Sequence, residues 1–211
     1  GPGHVLAALM PCHSQPKDKT LGQRIADTFS IPTVTVDLGR PYDALMAAVP
    51  PSDHAMAAAN VKPRLRMTVL YYLAQSHNYL VLGSGNKTEI AVGYFTKYGD
   101  GGVDLLPLGD LYKTQVWELA RVLGVPQEVV DRPPTAGLWP GQTDEGEMGI
   151  TYRRLGRRLA GIEQGRTSDL ARVAREKVNE HEQQLRADGG RDGHRDPATD
   201  DRHLLGEGVS R

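Results

Sequence analysis

The sequence predicts an α/β fold, with a parallel sheet covered by helices on both faces. Three observations predict it. Short apolar runs alternate with stretches of helical periodicity along most of the 211 residues. Several of these runs are rich in aliphatic and β-branched residues, as buried strands are. A glycine-rich segment, GSGNKTE, follows one apolar run and opens a helical stretch, as ligand-binding loops do at the carboxyl edge of such sheets.

The first half of the chain supplies two strands and three helical stretches. We expect strands at residues 5–10 and 33–38, since VLAALM is apolar and TVTVDL is rich in β-branched residues. The spacing of apolar residues predicts a helix over 20–29. Helices are also expected over 55–59 and 64–76, and Pro63 suits the start of the second.

The second half repeats the alternation. The run YLVL at 79–82 has the length of a buried strand. Helices are expected over 87–95 and 114–123, the latter ending at Gly124. Val116, Leu119, Ala120 and Leu123 share one face of that helix, which we expect to lie in the core.

Residues 4–185 form the predicted domain. Residues 186–211 interleave charges of both signs with glycine and hold almost no apolar residues. Such a composition cannot bury enough surface to become ordered. We therefore expect a disordered tail at 186–211.

Composition excludes several classes of protein. The formal net charge of -1 gives no reason to expect nucleic acid or a membrane surface as a partner. Cys12 is the single cysteine, so an internal disulfide is impossible and a buried structural thiol is the better interpretation. No apolar run reaches the roughly 18 residues of a membrane span, and no signal pattern opens the sequence. We expect a cytoplasmic protein.

The glycine loop has the residue types of a phosphate site. Gly83 and Gly85 permit positive φ and a close backbone approach, so a phosphate could lie against their amides. By itself a tight turn explains them equally well. Glu89 falls in the first turn of the next helix, where the dipole favours a carboxylate. Beside phosphates it would need a cation, which makes it a candidate Mg²⁺ ligand.

The following loop, FTKYGDGGVD, combines charge with aromatic surface. Lys97, Asp100 and Asp104 flank three glycines. A solvated loop explains the charges but not the neighbouring aromatic residues. A loop that closes on a nucleotide explains both, with Lys97 meeting phosphate. Lys113 follows a strand-like run and opens a helix, at the same predicted edge, although most such lysines are only solvated.

Five segments carry a family resemblance. They are, in order, NVKPRLRM, LVLGSGNKTE, VGYFTKYGDGGVDLLPLGDLYKTQ, PPTAGLW and GQTDEGEMGITY. In this order and spacing the chain resembles the ammonia-dependent NAD synthetases from about Val5 to about His181. The resemblance implies an ATP pyrophosphatase with a Rossmann-like sheet of the adenine-nucleotide hydrolase type.

The resemblance also implies a ligase reaction. In this family the nicotinate carboxylate of deamido-NAD attacks the α-phosphate of ATP and releases pyrophosphate. Ammonia then displaces AMP to give NAD. Mg²⁺ and lysines offset the phosphate charge. The family implies a homodimer, and the lack of a nitrilase-like domain implies ammonia from solution or from a separate protein.

The resemblance assigns roles to eight residues. Glu89 matches the magnesium ligand, and with Lys113 it is expected to serve catalysis. ATP-binding positions are matched by Ser84, Lys113 and Thr135. Positions that bind deamido-NAD are matched by Arg64, Lys97, Asp104 and His181. Asp144 and Glu145 fall in the flexible active-site cover and receive no individual role.

The sequence departs from the family in two places. The SGGxDS loop, which grips pyrophosphate and supplies a second magnesium ligand, is absent from these 211 residues. We expect that the sequence starts after this loop; a homologue that binds nucleotide or a partner subunit without turnover is the alternative, and a related ligase acting on another acid is a third reading. His181 is followed by Glu182 where the family often has lysine, which reverses the local charge.

Overall fold

The computed structural model describes residues 1–166, and its fold is α/β with parallel strand pairing, as predicted. Strand β1 (Ala7–Leu9) pairs in parallel with β2 (Thr33–Thr35), with Ala7 opposite Thr33. Helix α1 (Pro16–Thr28) forms the crossover between them. It starts with a proline, whose missing N–H costs nothing at this position.

Both strands are shorter than the apolar runs that predicted them. The amide of Val36 still donates to the carbonyl of Leu9, and that of Leu38 to the carbonyl of Pro11. Pairing therefore continues beyond the regular strands but without a full ladder. Pro11 has no N–H to give, which explains why β1 stops where it does.

The predicted strand at 79–82 is reduced to a single bridge. Leu82 pairs in parallel with Leu105, and the amide of Gly83 donates to the carbonyl of Leu105 at 2.8 Å. Pro107 follows two residues later and cannot extend the ladder. Val81 is buried, whereas Leu82 is 54% exposed. The run at 79–82 is therefore not the buried strand that we expected.

Eight further helices follow β2 in the described part of the chain. Helix α4 ends at Asn78, which adopts the left-handed conformation that favours glycine or asparagine. The bounds are α2 (Gly39–Ala48), α3 (Ala55–Ala59), α4 (Val61–His77), α5 (Lys87–Val92), α6 (Lys113–Val122), α7 (Gln127–Val130), α8 (Asp144–Met148) and α9 (Tyr152–Glu163).

The helix predicted over 87–95 ends earlier, because Gly93 caps α5 with φ of 71°. The helix predicted over 114–123 is α6, displaced by one residue. Its core face differs from the prediction, since Leu119 and Leu123 are exposed. Trp117 instead lies on the side of α6 that packs against the core, and its ring is 6.1 Å from that of Tyr152.

A hydrophobic core lies among helices α5, α6, α8 and α9. Met148, Tyr152 and Leu155 are buried at its centre. Five half-buried side chains pack around them: Val92, Tyr94, Trp117, Ile150 and Leu159. Helix α9 therefore holds α5 and α6 in fixed positions, which matters because the predicted site residues Glu89 and Lys113 lie on these two helices.

Three further predictions concern the chain outside this core. Cys12 is buried, and its Sγ lies 3.6 Å from the carbonyl oxygen of Leu38. Within residues 1–166, every helix is too short or too polar to cross a bilayer. The domain boundary at residue 185 and the tail at 186–211 lie outside the described residues.

Candidate functional site

A capping box fixes the start of α5 and with it the direction of Glu89. The buried side chain of Asn86 accepts hydrogen bonds from the amides of Thr88 and Glu89, at 3.0 and 3.2 Å. In return, Oε2 of Glu89 accepts from the amide of Asn86 at 3.0 Å. One carboxylate oxygen of Glu89 is thus engaged by the backbone, and the other, Oε1, contacts side chains.

Gly83 is required by packing rather than by backbone strain. A Cβ there would lie 2.7 Å from side-chain carbons of both Val103 and Leu106. Neither Gly83 nor Gly85 adopts the positive φ that glycine permits, and the space beside Gly83 is occupied by the neighbouring side chains. The loop is held tightly against the segment that carries Asp104.

Lys113 and Glu89 meet across the gap between α5 and α6. Nζ of Lys113 lies 2.9 Å from Oε1 of Glu89, and the two side chains are only 18% and 14% exposed. The amide of Lys113 also donates to Oγ1 of the buried Thr88 at 3.1 Å. The start of α6 is therefore fixed to the first turn of α5 by both backbone and side chain.

Tyr152 connects this pair to α8. Its side chain is fully buried, and its hydroxyl lies 2.8 Å from Oδ2 of Asp144 and 3.2 Å from Oε1 of Glu89. Nζ of Lys113 lies 4.9 Å from the centre of its ring. Burial raises the pKa of the Tyr152 hydroxyl, so it stays a proton donor. Burial likewise raises the pKa of Asp144.

A second tyrosine continues the network toward the surface. The hydroxyl of Tyr94 lies 2.7 Å from Oε2 of Glu147 and 3.2 Å from Oδ1 of Asp144. Gln142 donates to the same oxygen of Glu147 at 2.7 Å and accepts from the amide of Leu138 at 2.7 Å. Polar contacts therefore run without interruption from Glu89 to the 138–142 segment.

A cavity of about 480 Å³ opens beside this network. Ser84 is exposed at its wall. Its other lining residues mix polar and apolar groups and include Arg66, Tyr94, Phe95, Gln142 and Glu147. A volume of this size with a few polar groups suits a nucleotide-sized ligand.

Thr135 lies in a smaller cavity of about 290 Å³. Its Oγ1 accepts a hydrogen bond from the amide of Gly137 at 3.0 Å. Arg66 lines both cavities. Its guanidinium donates to the carbonyl of Met10 at 3.1 Å and to Oγ of Ser14 at 3.3 Å. Burial lowers the pKa of Arg66, although guanidinium remains charged at neutral pH.

Arg64 and Lys97 are brought together, while Asp104 is engaged elsewhere. Nε of Arg64 donates to the backbone carbonyl of Lys97 at 3.1 Å. Asp104 accepts from the hydroxyl of Tyr71 at 3.0 Å and from the amide of Val81 at 2.8 Å. Its carboxylate thus braces the bridge between 81–83 and 104–105.

His181 lies outside the described residues, so seven of the eight predicted positions can be located. Arg64, Lys97 and Asp104 do not line either of the two cavities described above. The structure therefore brings Glu89 and Lys113 into contact and puts Ser84 and Thr135 in neighbouring cavities. The residues around Lys97 form a separate part of the surface.

The oxygen donors around Glu89 fit Mg²⁺. In residues 1–166 no three carboxylate, imidazole or thiol side chains are grouped as a complete metal cage. Mg²⁺ does not need one, because it usually binds one or two carboxylates together with phosphates and water. Glu89 and Asp144, both within reach of the Tyr152 hydroxyl, offer oxygen ligands of that kind.

The polar residues of the site that received no role from the sequence alone include these four: Arg66, Tyr94, Asp144 and Tyr152. All four lie inside the segments that carry the resemblance. That position was the feature of the sequence that could have identified them as site residues. Glu145, from the same segment as Asp144, accepts from the amide of Tyr152 at 2.8 Å. Its contact holds the start of α9.

The sequence model of the NAD synthase family matches residues 1–188. The NH₃-dependent NAD⁺ synthetase of Carboxydothermus hydrogenoformans is 52% identical over 158 residues, which cover 73% of this chain and 65% of that protein. The enzyme of the same name from Finegoldia magna is 46% identical, covering 79% of this chain and 69% of the relative. The chain thus spans about two thirds of the length of these relatives.

Solved structures agree on the fold. The NMN synthetase of Francisella tularensis superposes with a TM-score of 0.73 at 35% identity, covering 84% of this chain and 74% of the other. The NH₃-dependent NAD synthetase of Campylobacter jejuni gives a TM-score of 0.65 at 22% identity, with coverages of 87% and 75%. The second likeness bears on the fold alone.

Proposed function

The chain belongs to the NAD synthase family, and on that premise we propose that it is an ammonia-dependent NAD synthetase, a ligase that makes NAD from deamido-NAD. The observation that carries the proposal is the shielded contact between Lys113 and Glu89 at the start of two helices. It places an ammonium group, which binds phosphate oxygens, beside a carboxylate, which can bind a divalent cation. The names of the curated relatives support the same reaction.

The proposed reaction has two steps. A carboxylate oxygen of deamido-NAD attacks the α-phosphorus of ATP, and the bond to pyrophosphate breaks. Ammonia then attacks the acyl carbon of the resulting adenylate, expels AMP and loses a proton to solvent. A carboxylate is a poor electrophile, so activation with a good leaving group is what allows the amide to form.

Each predicted residue has a place in this proposal. The ammonium of Lys113 binds phosphate oxygens of ATP and offsets charge that develops as pyrophosphate leaves. Ser84 and Thr135 contribute hydroxyls to ATP, each from the wall of its cavity. Glu89 would hold Mg²⁺, which lowers the negative charge of the phosphates when bound.

Deamido-NAD is assigned to Arg64, Lys97 and Asp104, and the family resemblance adds His181, which lies outside the described residues. The guanidinium of Arg64 and the ammonium of Lys97 suit its pyrophosphate. The contact of Arg64 with the backbone of Lys97 supports a joint role. Asp104 already accepts from Tyr71 and Val81, so its part is to hold this edge as well as to meet the ligand.

Three finer features also belong to the proposal. We propose Mg²⁺ as the metal cofactor, a homodimer as the working assembly, and the cytoplasm as the location. The carboxylate oxygens of Glu89 and Asp144 are ligands of the kind that Mg²⁺ binds, and they support the choice of metal. The homodimer and the location are carried over from the family resemblance and the composition.

A second candidate differs in the acid that is activated. The likeness to the NMN synthetase of Francisella tularensis, at 35% identity, favours a reaction on the corresponding mononucleotide. The same adenylation and amidation chemistry would apply. The dinucleotide remains the leading substrate because relatives of higher identity carry the NAD synthetase name.

One assay separates these functions. The full-length protein is incubated with ATP, Mg²⁺ and ammonium, and with either deamido-NAD or nicotinate mononucleotide, and AMP and the amide product are measured together. Equal amounts of AMP and NAD from the dinucleotide support the leading proposal. Product from the mononucleotide alone supports the second candidate. No product from either acid would overturn both.

A further inference from the structure

We propose that Tyr152 is a positioning residue whose hydroxyl holds Glu89 and helix α8 in one arrangement. The inference rests on the proposed function for the role of Glu89. The link that the Tyr152 hydroxyl makes between Glu89 and α8, called the tether below, can be measured separately. Neither the family resemblance nor the names of the relatives gives Tyr152 a role. The contacts of its single hydroxyl group carry the inference.

The hydroxyl joins two carboxylates from different parts of the chain. It lies 2.8 Å from Oδ2 of Asp144, at the start of α8, and 3.2 Å from Oε1 of Glu89, 63 residues away in the sequence. The same Glu89 oxygen accepts from Nζ of Lys113 at 2.9 Å. Oε1 of Glu89 is therefore contacted from two sides, by the Lys113 ammonium and by the Tyr152 hydroxyl.

A tyrosine hydroxyl has one proton to donate. The shorter contact identifies Asp144 as its present acceptor, with Glu89 the longer alternative. A change in the charge near Glu89, such as the arrival of a cation and phosphates, changes the competition between these acceptors. The position of α8 is thereby linked to what is bound beside Glu89.

The ring of Tyr152 is fixed well enough to aim its hydroxyl. It is fully buried among Met148 and Leu155. The ring of Trp117 packs edge-on at 6.1 Å with an interplanar angle of 83°. The backbone amide of Tyr152 donates to Oε1 of Glu145 at 2.8 Å. Because these contacts involve the ring and the backbone, phenylalanine would keep them and lose only the hydroxyl.

The test is Tyr152→Phe in the full-length protein, with Tyr112→Phe as the matched control. The hydroxyl of Tyr112 also donates to a carboxylate, Oε2 of Glu163, at 2.7 Å, but away from Glu89. Three quantities are compared: kcat, the Mg²⁺ concentration for half-maximal rate, and hydrogen exchange of amides in 138–150. Thermal unfolding reports the remaining stability.

For Tyr152→Phe we expect kcat to fall about 10-fold or more, as for loss of a hydrogen bond to a charged group. The Mg²⁺ concentration for half-maximal rate should rise by a similar factor, while the KM for deamido-NAD changes little. Exchange in 138–150 should become faster. Tyr112→Phe should leave all of these as in the wild type.

Two results would overturn the inference. One is a kcat and Mg²⁺ dependence equal to those of the wild type. The other is a loss of activity that only follows the loss of folded protein, which would make the residue structural. If the wild type forms no amide product, the proposed function fails, and exchange decides alone: faster exchange in Tyr152→Phe supports the tether, and unchanged exchange rejects it.

Discussion

Nζ of Lys113 lies 2.9 Å from Oε1 of Glu89, in a contact from which solvent is largely excluded. The two residues are 24 positions apart and begin two different helices, α5 and α6. Loss of either partner would leave the other charged in a poorly solvated place. The pair is therefore both a structural contact and the proposed centre of phosphate and metal binding.

Replacement of Glu89 by glutamine separates charge from structure. Glutamine can also complete a capping box, so the start of α5 should survive, although Tm should fall because the shielded Lys113 loses its charged partner. The negative charge proposed to hold Mg²⁺ is lost. We expect kcat/KM to fall about 100-fold and the Mg²⁺ requirement to rise. A variant as active as the wild type would remove Glu89 from the metal site.

Lys113→Met should cost stability as well as activity. It leaves the shielded Glu89 carboxylate without its cation, and we expect the free energy of unfolding to fall by about 1–3 kcal/mol. Lys87→Met is the control, because Lys87 pairs with the half-exposed Glu163 and pairs that are open to solvent contribute little to stability. Urea denaturation measures both. Equal losses for the two variants would contradict the importance of the buried pair.

Asp104→Ala tests whether this residue holds the strand edge. Its carboxylate accepts from Tyr71 and from the amide of Val81. Losing both contacts should lower the free energy of unfolding by about 1–3 kcal/mol, and Tyr71→Phe should cost about 0.5–1.5 kcal/mol. Chemical denaturation measures the two losses. If Asp104→Ala is as stable as the wild type and only raises the KM for deamido-NAD, its role is confined to the ligand.

Glu163 should stabilise the protein near neutral pH but not at low pH. Hydrogen bonds from Lys87 and Tyr112 lower the pKa of Glu163 from its usual value of 4.5. A carboxyl group with a lower pKa in the folded state stabilises the protein above its unfolded pKa, and this stabilisation is lost as pH falls through the folded value. The difference in Tm between the wild type and Glu163→Gln should therefore shrink below pH 4.5. A difference that stays constant from pH 7 to pH 3 would argue against the shift.

A local signal predicted the end of α6 better than apolar composition predicted the strand at 79–82. Gly124 marked the end of α6 to within one residue, because a glycine cap acts locally. The strand at 79–82 was overestimated, since its length depends on a partner, Leu105, whose ladder Pro107 interrupts. Apolar composition alone carries no information about that partner.

The same distinction applies to the site. Glu89 and Lys113 could be singled out because each opens a helix after an apolar run. Their contact could not be predicted, as it depends on how α9 packs against α5 and α6. Tyr152 received no individual role, although it lies in one of the segments that carry the resemblance. Its function in the structure arises from two carboxylates that lie 8 and 63 positions away along the chain.

The most direct test of the central claim is a crystal structure of the full-length protein with Mn²⁺ and a non-hydrolysable ATP analogue. The account predicts an anomalous peak for Mn²⁺ within about 2.5 Å of the Glu89 carboxylate, with a phosphate oxygen within hydrogen-bond distance of Nζ of Lys113. A metal and phosphates bound away from both side chains would contradict it.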